Sequence, residues 1–182
     1  PGAASPAGSK ERNERGGKLR LAGNDATVTL PKLFAEPIRF DSVKGDVSWT
    51  RGGGETQVQW KDVVFANADA SGASAGMWRS HPTGPGDVDL KAQLTRANLA
   101  SAHRYLPVNA APAVRDWLRR ALVKGTSNDA TLAITGDLAL FPFPQGKGGQ
   151  FQLAVKAHQA TLDYADRWPP ITDIAAEVRI DG

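Results

Sequence analysis

From Lys18 onward, apolar and polar positions alternate with period two along most of the chain, the pattern of strands that bury one face and wet the other. Leu19 and Leu21 alternate with polar neighbours, Gly23-Asn24-Asp25 is expected to turn the chain, and Ala26, Val28 and Leu30 continue as a second strand. Val43, Val47 and Trp49 share a face, and Arg51-Gly52-Gly53-Gly54-Glu55 reads as a turn into a strand carrying Val58 and Trp60. The phase then slips to Val63 and Phe65, which predicts a bulge or break near Lys61-Asp62. Ala66 to Gly76 is nearly all small residues, and His81 to Gly86 is a Pro/Gly loop. Val88, Leu90, Ala92 and Leu94 then alternate with Asp87, Asp89, Lys91 and Gln93 as a strand with one wet face.

Next the period becomes helical. Asn98 is placed to cap a short helix with Leu99, Ala102 and Leu106, ended by Pro107. Asn109 is expected to cap a second helix from about Ala110 to Lys124, with Pro112 in its first turn. Here Val114, Trp117, Leu118, Ala121 and Leu122 form one apolar stripe predicted to dock on the sheet. Arg115, Arg119, Arg120 and Lys124 dress its other faces, and Gly125 suits the position after its end. The basic cluster is either a solvated surface or a contact for anionic headgroups or a partner.

Strand periodicity returns with Leu132, Ile134, Leu138 and Leu140 on one face, followed by a Phe141-Pro142-Phe143-Pro144 loop that runs to Gly149. Phe151, Leu153 and Val155 alternate with polar or small residues, and Leu162 and Tyr164 follow. Trp168-Pro169-Pro170 breaks the chain, and Ile174, Ala176, Val178 and Ile180 make a last strand. A short phrase recurs as Gly45-Asp46-Val47, Gly86-Asp87-Val88 and Gly136-Asp137-Leu138, each opening or punctuating a strand. The organisation expected is one mainly β (β-rich α+β) domain: a flexible lead-in at 1–17, a meander at 18–96, a helical pair at 97–125, and a meander at 126–182 continuing the same sheet. The sheet is expected to be antiparallel and twisted, and either groove-like or closed against a second layer.

Composition narrows the chemistry. The 19 glycines and 12 prolines of the 182 residues suit a turn-rich β protein. A net charge of +3, carried by no single run, gives no footprint for nucleic acid. There is no cysteine, hence no disulfide, thiolate chemistry or cysteine-ligated metal. No apolar run reaches the roughly 18 residues a membrane-spanning helix needs. The chain opens at Pro1-Gly2 and ends directly after a strand pattern, so it is expected to be a piece of a longer protein.

His81 lies in a loop, His103 on the short helix and His158 on the polar side of a strand, without ligand spacing. Asp87, Asp89 and Asp137 alternate with apolar residues as a solvated face does, which disfavours a paired-carboxylate hydrolase. The Gly52-Gly53-Gly54 run lacks the Lys-Ser/Thr of a phosphate loop. Neither catalytic residues, nor a metal site, nor a cofactor is expected.

In order and spacing, the residues resemble the YhdP family of the AsmA-like group, which includes TamB. The resemblance is carried by Tyr105-Leu106-Pro107, Asp116-Trp117-Leu118, Ala121-Leu122 and Gly125. It continues through Ala130 to Gly136, Phe141-Pro142-Phe143, Leu162-Asp163-Tyr164 and Trp168-Pro169, and upstream through Leu30-Pro31, Gly45-Asp46-Val47-Ser48-Trp49 and Asn67-Ala68-Asp69. It covers roughly residues 18–182. The resemblance implies an inner-membrane-anchored envelope protein whose long periplasmic part is a β groove carrying phospholipid between the inner and outer membranes. It implies no catalytic residues. Its partners would be phospholipid, adjacent segments of the same chain and other envelope proteins. Residues proposed to line such a groove are Leu132, Ile134, Phe151, Leu153, Val155, Val178 and Ile180; the other possibility is that they form a core beneath the helices.

Overall fold

The computed structural model describes residues 15–108 and 110–182. Nine strands form one antiparallel sheet: Arg15–Val28 (β1), Ile38–Gly52 (β2), Glu55–Ala66 (β3), Ala70–Arg79 (β4), Asp87–Asn98 (β5), Leu122–Ser127 (β6), Ala130–Asp137 (β7), Gly149–Leu162 (β8) and Ile171–Asp181 (β9). A 3₁₀ helix, Leu99–Tyr105, and an α-helix, Pro112–Ala121 (α1), interrupt the meander between β5 and β6. The mainly β, antiparallel class expected from the alternation is what the chain adopts.

The pairings β5–β6, β6–β8, β8–β7 and β7–β5 trace a four-strand ring. The registers show how it arises. Ala97 pairs Ser127 and Leu94 pairs Ala130 in one continuous β5 register. Thr126 pairs His158 and Ala130 pairs Val155 on the other side. β6 and β7 therefore lie end to end in one slot between β5 and β8, separated by Asn128-Asp129. Ser127 Oγ donates to Asp129 O (3.1 Å) and accepts from Asp129 N (3.2 Å), which holds that break.

Several sequence expectations hold locally. Gly53 and Gly54, at φ 61° and 84°, make the tight turn from β2 to β3. The register shifts between Trp60 and Val63, with Asp62 at φ 48°, place the bulge where the phase slipped. Asn98 caps the 3₁₀ helix, its side chain accepting from Ala100 N (3.2 Å).

Others are corrected. Residues 1–14 of the expected lead-in lie outside the described residues, and β1 already begins at Arg15 rather than Lys18. Gly23-Asn24-Asp25 is no turn. Gly23 and Asn24 pair with Val43 and Ser42, and Asp25 absorbs the irregularity at φ 56° within one long strand. The small-residue stretch contains β4. Its Gly76 lies against the Trp60 ring and the β5 backbone at Asp89, so a side chain there would collide with both. Leu138 and Leu140 leave the strand as a 3₁₀ turn begun by Asp137, with Leu138 buried and Leu140 exposed, so they do not share the face of Leu132 and Ile134.

The second helix is shorter than predicted and opens at Ala111, with no side-chain cap; Asn109 lies outside the described residues. At its other end Leu122 already pairs with Leu162 and Lys124 with Thr161. Gly125 sits in strand at φ 148°, packed against Ala160 and Leu99. Pairing with β8 overrides the helical period over the last three residues, and Asp163 N satisfies the Ala121 carbonyl (2.8 Å).

The apolar stripe of α1 docks only at its end. Ala121 is 1% exposed, but Val114 and Trp117 are 50% and 43% exposed. Trp117→Ala should therefore cost no more than about 1 kcal/mol, far below the about 3–5 kcal/mol of a buried aromatic. Urea unfolding checks this, and a larger loss would place Trp117 in the core.

Candidate functional site

Residues directly opposite in a sheet point to the same side, so the registers define its two faces. One row across seven strands reads Leu19, Val47, Trp60, Gly76, Leu90, Ile134 and Phe151. The flanking rows read Val63, Ser74, Ala92, Leu132, Leu153, Ile180 and Phe65, Gly72, Leu94, Ala130, Val155, Val178. The opposite face carries Lys18, Ser48, Gln59, Met77, Asp89, Thr135 and Gln150. The sheet is thus apolar on one side and polar on the other, from edge to edge.

All seven residues singled out as possible lining lie on the apolar face. Leu132, Ile134, Phe151, Leu153 and Val155 are half-buried, while Val178 and Ile180 are 43% and 47% exposed. None is sealed. The large fully covered apolar side chains sit at one margin, where Leu138, Phe141 and Phe143 fold over the end of β7 and β8. Phe141 packs edge-on against both Phe143 and Phe151, at 5.8 and 5.2 Å between ring centres. Ala97, Ala121, Ala157 and Ala160 are buried as well.

A largely polar cluster latches the 3₁₀ helix to the β3–β4 turn. Asp69 accepts from Arg104 Nη1 (2.7 Å) and the Tyr105 hydroxyl (3.0 Å), and Arg104 also faces Glu36 (3.4 Å). Asn67 Nδ2 donates to Arg39 O and to Tyr105 Oη, both at 3.0 Å, and Arg96 donates to the Asn67 carbonyl. Burial raises the Tyr105 hydroxyl above its ordinary range; the Asn67 bond lowers it, and Asp69 raises it further. Every buried side-chain polar atom among the described residues has a partner.

The basic residues of the second helix are largely engaged. Arg115 donates to Pro107 O (2.6 Å), Arg119 pairs with Asp116 (3.4 Å) and Arg120 donates to Asp116 O (3.4 Å). Lys124 stands in β6 and is exposed. An open depression of about 730 Å³ lies mainly along two rows of the polar face, Ala73, Gln93, Thr131, Ala154, Arg179 and Ala75, Lys91, Ala133, Gln152, Asp181. Leu132 and Leu153 also border it, and Asp62, Lys91, Arg179 and Asp181 put charge on its lining.

Two histidines meet one acceptor or donor each: His103 Nδ1 lies 3.0 Å from Ala100 O and His158 Nε2 lies 3.3 Å from Asn128 Oδ1. His81 stands in a group. Its Nε2 lies 2.8 Å from Asp87 Oδ2, and Asp137 completes a cluster whose ligand atoms all fall within 4.8 Å of one another. Local spacing concealed this group; the recurring Gly-Asp phrase was the available signal. Among the described residues no helix is long and apolar enough to cross a membrane.

The chain is 24% identical over 180 residues to the intermembrane phospholipid transporter YhdP of Escherichia coli (strain K12), covering 98% of this chain. It spans about 14% of that relative's length. No solved structure matches it. The family model described as YhdP protein matches residues 1–182, and the chain belongs to the YhdP family.

Proposed function

We propose that this chain is a non-catalytic segment of a phospholipid conduit between the inner and outer membranes, with acyl chains carried along the apolar sheet face. The observation that carries this reading is a face that stays apolar across consecutive strands with no second sheet over it among the described residues. With strands about 4.8 Å apart, the Leu19-to-Phe151 row extends roughly 29 Å across the sheet, long enough for a whole acyl tail. Each methylene placed there gains about 0.8 kcal/mol, so the summed contact holds a tail without a specific polar bond. Such binding is strong in total yet graded along the row, which suits sliding.

Leu132, Ile134, Phe151, Leu153, Val155, Val178 and Ile180 are the proposed contacts, and the groove shape belongs to this proposal. Headgroups would stay at the wet rim, where Lys124 and the free sides of Arg115, Arg119 and Arg120 offer positive charge. The setting is the periplasmic part of an anchored envelope protein. Neighbouring segments of the same chain and envelope proteins would be its partners. The rival reading, a closed structural or adhesive module binding protein or glycan, needs a filled core. The half-open residues of this face argue against one.

Ile134→Asp and Leu153→Asp test the proposal. On an open face the carboxylate stays hydrated and the fold loses less than about 2 kcal/mol; in a closed core the same change costs several kcal/mol. Thermal unfolding with photo-crosslinking of a phospholipid analogue should show folded variants with crosslinking lost. Unfolded variants, or a native chain that never crosslinks, would refute the conduit.

A further inference from the structure

His81, Asp87 and Asp137 come from three separate segments and meet at the end of the sheet where β5 begins and β7 ends. One ligand atom of each lies within 4.8 Å of the others. Asp87 and Asp137 are direct partners in the β5–β7 ladder, so their carboxylates stand side by side on one face. Two like charges in that relation repel. Arg79, the β4 neighbour of Asp87, forms no ion pair with it among the described residues. The sequence explains the encounter: one Gly-Asp phrase enters a strand, another leaves its neighbour, and antiparallel pairing superimposes them.

The backbone around the cluster is fixed. Leu138 N donates to Gly86 O (3.0 Å), and Ala139 N donates to Asp137 Oδ1 (2.9 Å), leaving the other oxygen of Asp137 for a ligand. His81 stands on the loop between β4 and β5 with its ring already turned onto Asp87 at 2.8 Å. The three side chains are partly exposed, so an ion has an approach from solvent.

We propose that His81 Nε2 with one carboxylate oxygen each from Asp87 and Asp137 forms a site for a divalent transition metal of the zinc or manganese class. An imidazole beside two carboxylates suits these ions better than magnesium or calcium, which favour all-oxygen shells. Metal–ligand distances of about 2.0–2.2 Å set neighbouring ligand atoms about 3.4 Å apart in a tetrahedral shell, so His81 and Asp87, now 2.8 Å apart, open slightly around the ion. The His81 loop supplies that adjustment. Three protein ligands leave the remaining positions to water. The ion offsets the facing carboxylates and pins the Pro/Gly loop to the two strand ends, next to buried Leu138. The site is independent of the lipid proposal.

The test is titration of the chelator-treated chain with Zn²⁺ by calorimetry, with Co²⁺ absorption as a spectroscopic signature of ligation. The expected result is one ion per chain and a raised unfolding temperature. His81→Ala and Asp137→Asn should each weaken binding at least about tenfold, while His158→Ala changes nothing. Asp137→Asn keeps the side-chain shape and decides the matter alone if His81→Ala misfolds. Absence of saturable binding up to millimolar metal, or binding undiminished in Asp137→Asn, would overturn the site.

Discussion

Phe143→Ala is expected to destabilise the domain by about 3–5 kcal/mol, the range for truncating a fully buried aromatic. Phe143 is 0% exposed, the one large side chain among the described residues that is fully buried. Its ring lies so close over Gly149 that a side chain there would strike it, and Phe141 closes its flank at 5.8 Å. The surrounding loop, pinned by Phe143 N to Leu140 O and Gly146 N to Phe143 O (2.8 Å each), has little room to collapse into the vacancy. Phe143 sits at φ 60°, a left-handed backbone that alanine shares, so the alanine variant isolates the loss of the ring. Phe143→Gly loses the same ring but relieves the backbone, and should come out milder by about 1 kcal/mol. Urea unfolding of the two variants measures both effects. A loss below about 1 kcal/mol for alanine would mean that this margin of the sheet opens locally and does not support the rest.

Where an element is held by its own alternation, the sequence revealed it: β5, β8 and β9 carry one apolar residue at every second position, and the chain pairs them accordingly. The elements that escaped are held by their neighbours. The first seven residues of β4, Ala70 to Gly76, are all small, and the β5 backbone and Trp60 occupy the space over Gly72 and Gly76. Leu122 to Lys124 fit a helical stripe, but β8 offers strand partners, and pairing wins over period. The candidate surface was legible as a set of alternating positions. Its openness was not, since a one-sided strand looks the same whether a second sheet covers it or not. In the structure Val178 and Ile180 are exposed on β9, while alanines and the phenylalanine margin are buried. The Asp69 cluster was invisible for a different reason. Its members are drawn from residues 36 to 105, and no local spacing joins them.

Asp69→Ala should cost about 2 kcal/mol, because one carboxylate holds two side chains of the 3₁₀ helix. Asp69 is 9% exposed and accepts from Arg104 and Tyr105 on the 3₁₀ helix, while its carbonyl accepts from Asn98 N (2.7 Å) at the end of β5. Asn67, two residues before, receives Asp69 N (3.0 Å) and Ala70 N (2.7 Å) and reaches Arg39 on β2. Truncation leaves donors aimed at nothing, which costs about 1–3 kcal/mol when the site is buried. The Arg104 side chain is 44% exposed, so water rescues much of its share; the Tyr105 hydroxyl, in the drier position, bears the rest. Asp69→Asn keeps one acceptor and should lose roughly half as much. The tyrosine also gives the latch an alkaline limit. With its hydroxyl held above 10.0 chiefly by burial, the neutral form is the one the fold accepts. The stability tied to it is complete below pH 10.0 and falls as pH rises through the higher folded value. Asp69→Ala removes one contribution to that elevation, so the part of its stability lost to Tyr105 ionisation above pH 10.0 should be smaller than in the native chain. Equal midpoints in urea for the native chain and Asp69→Ala would show that the helical pair is held by its apolar contacts alone.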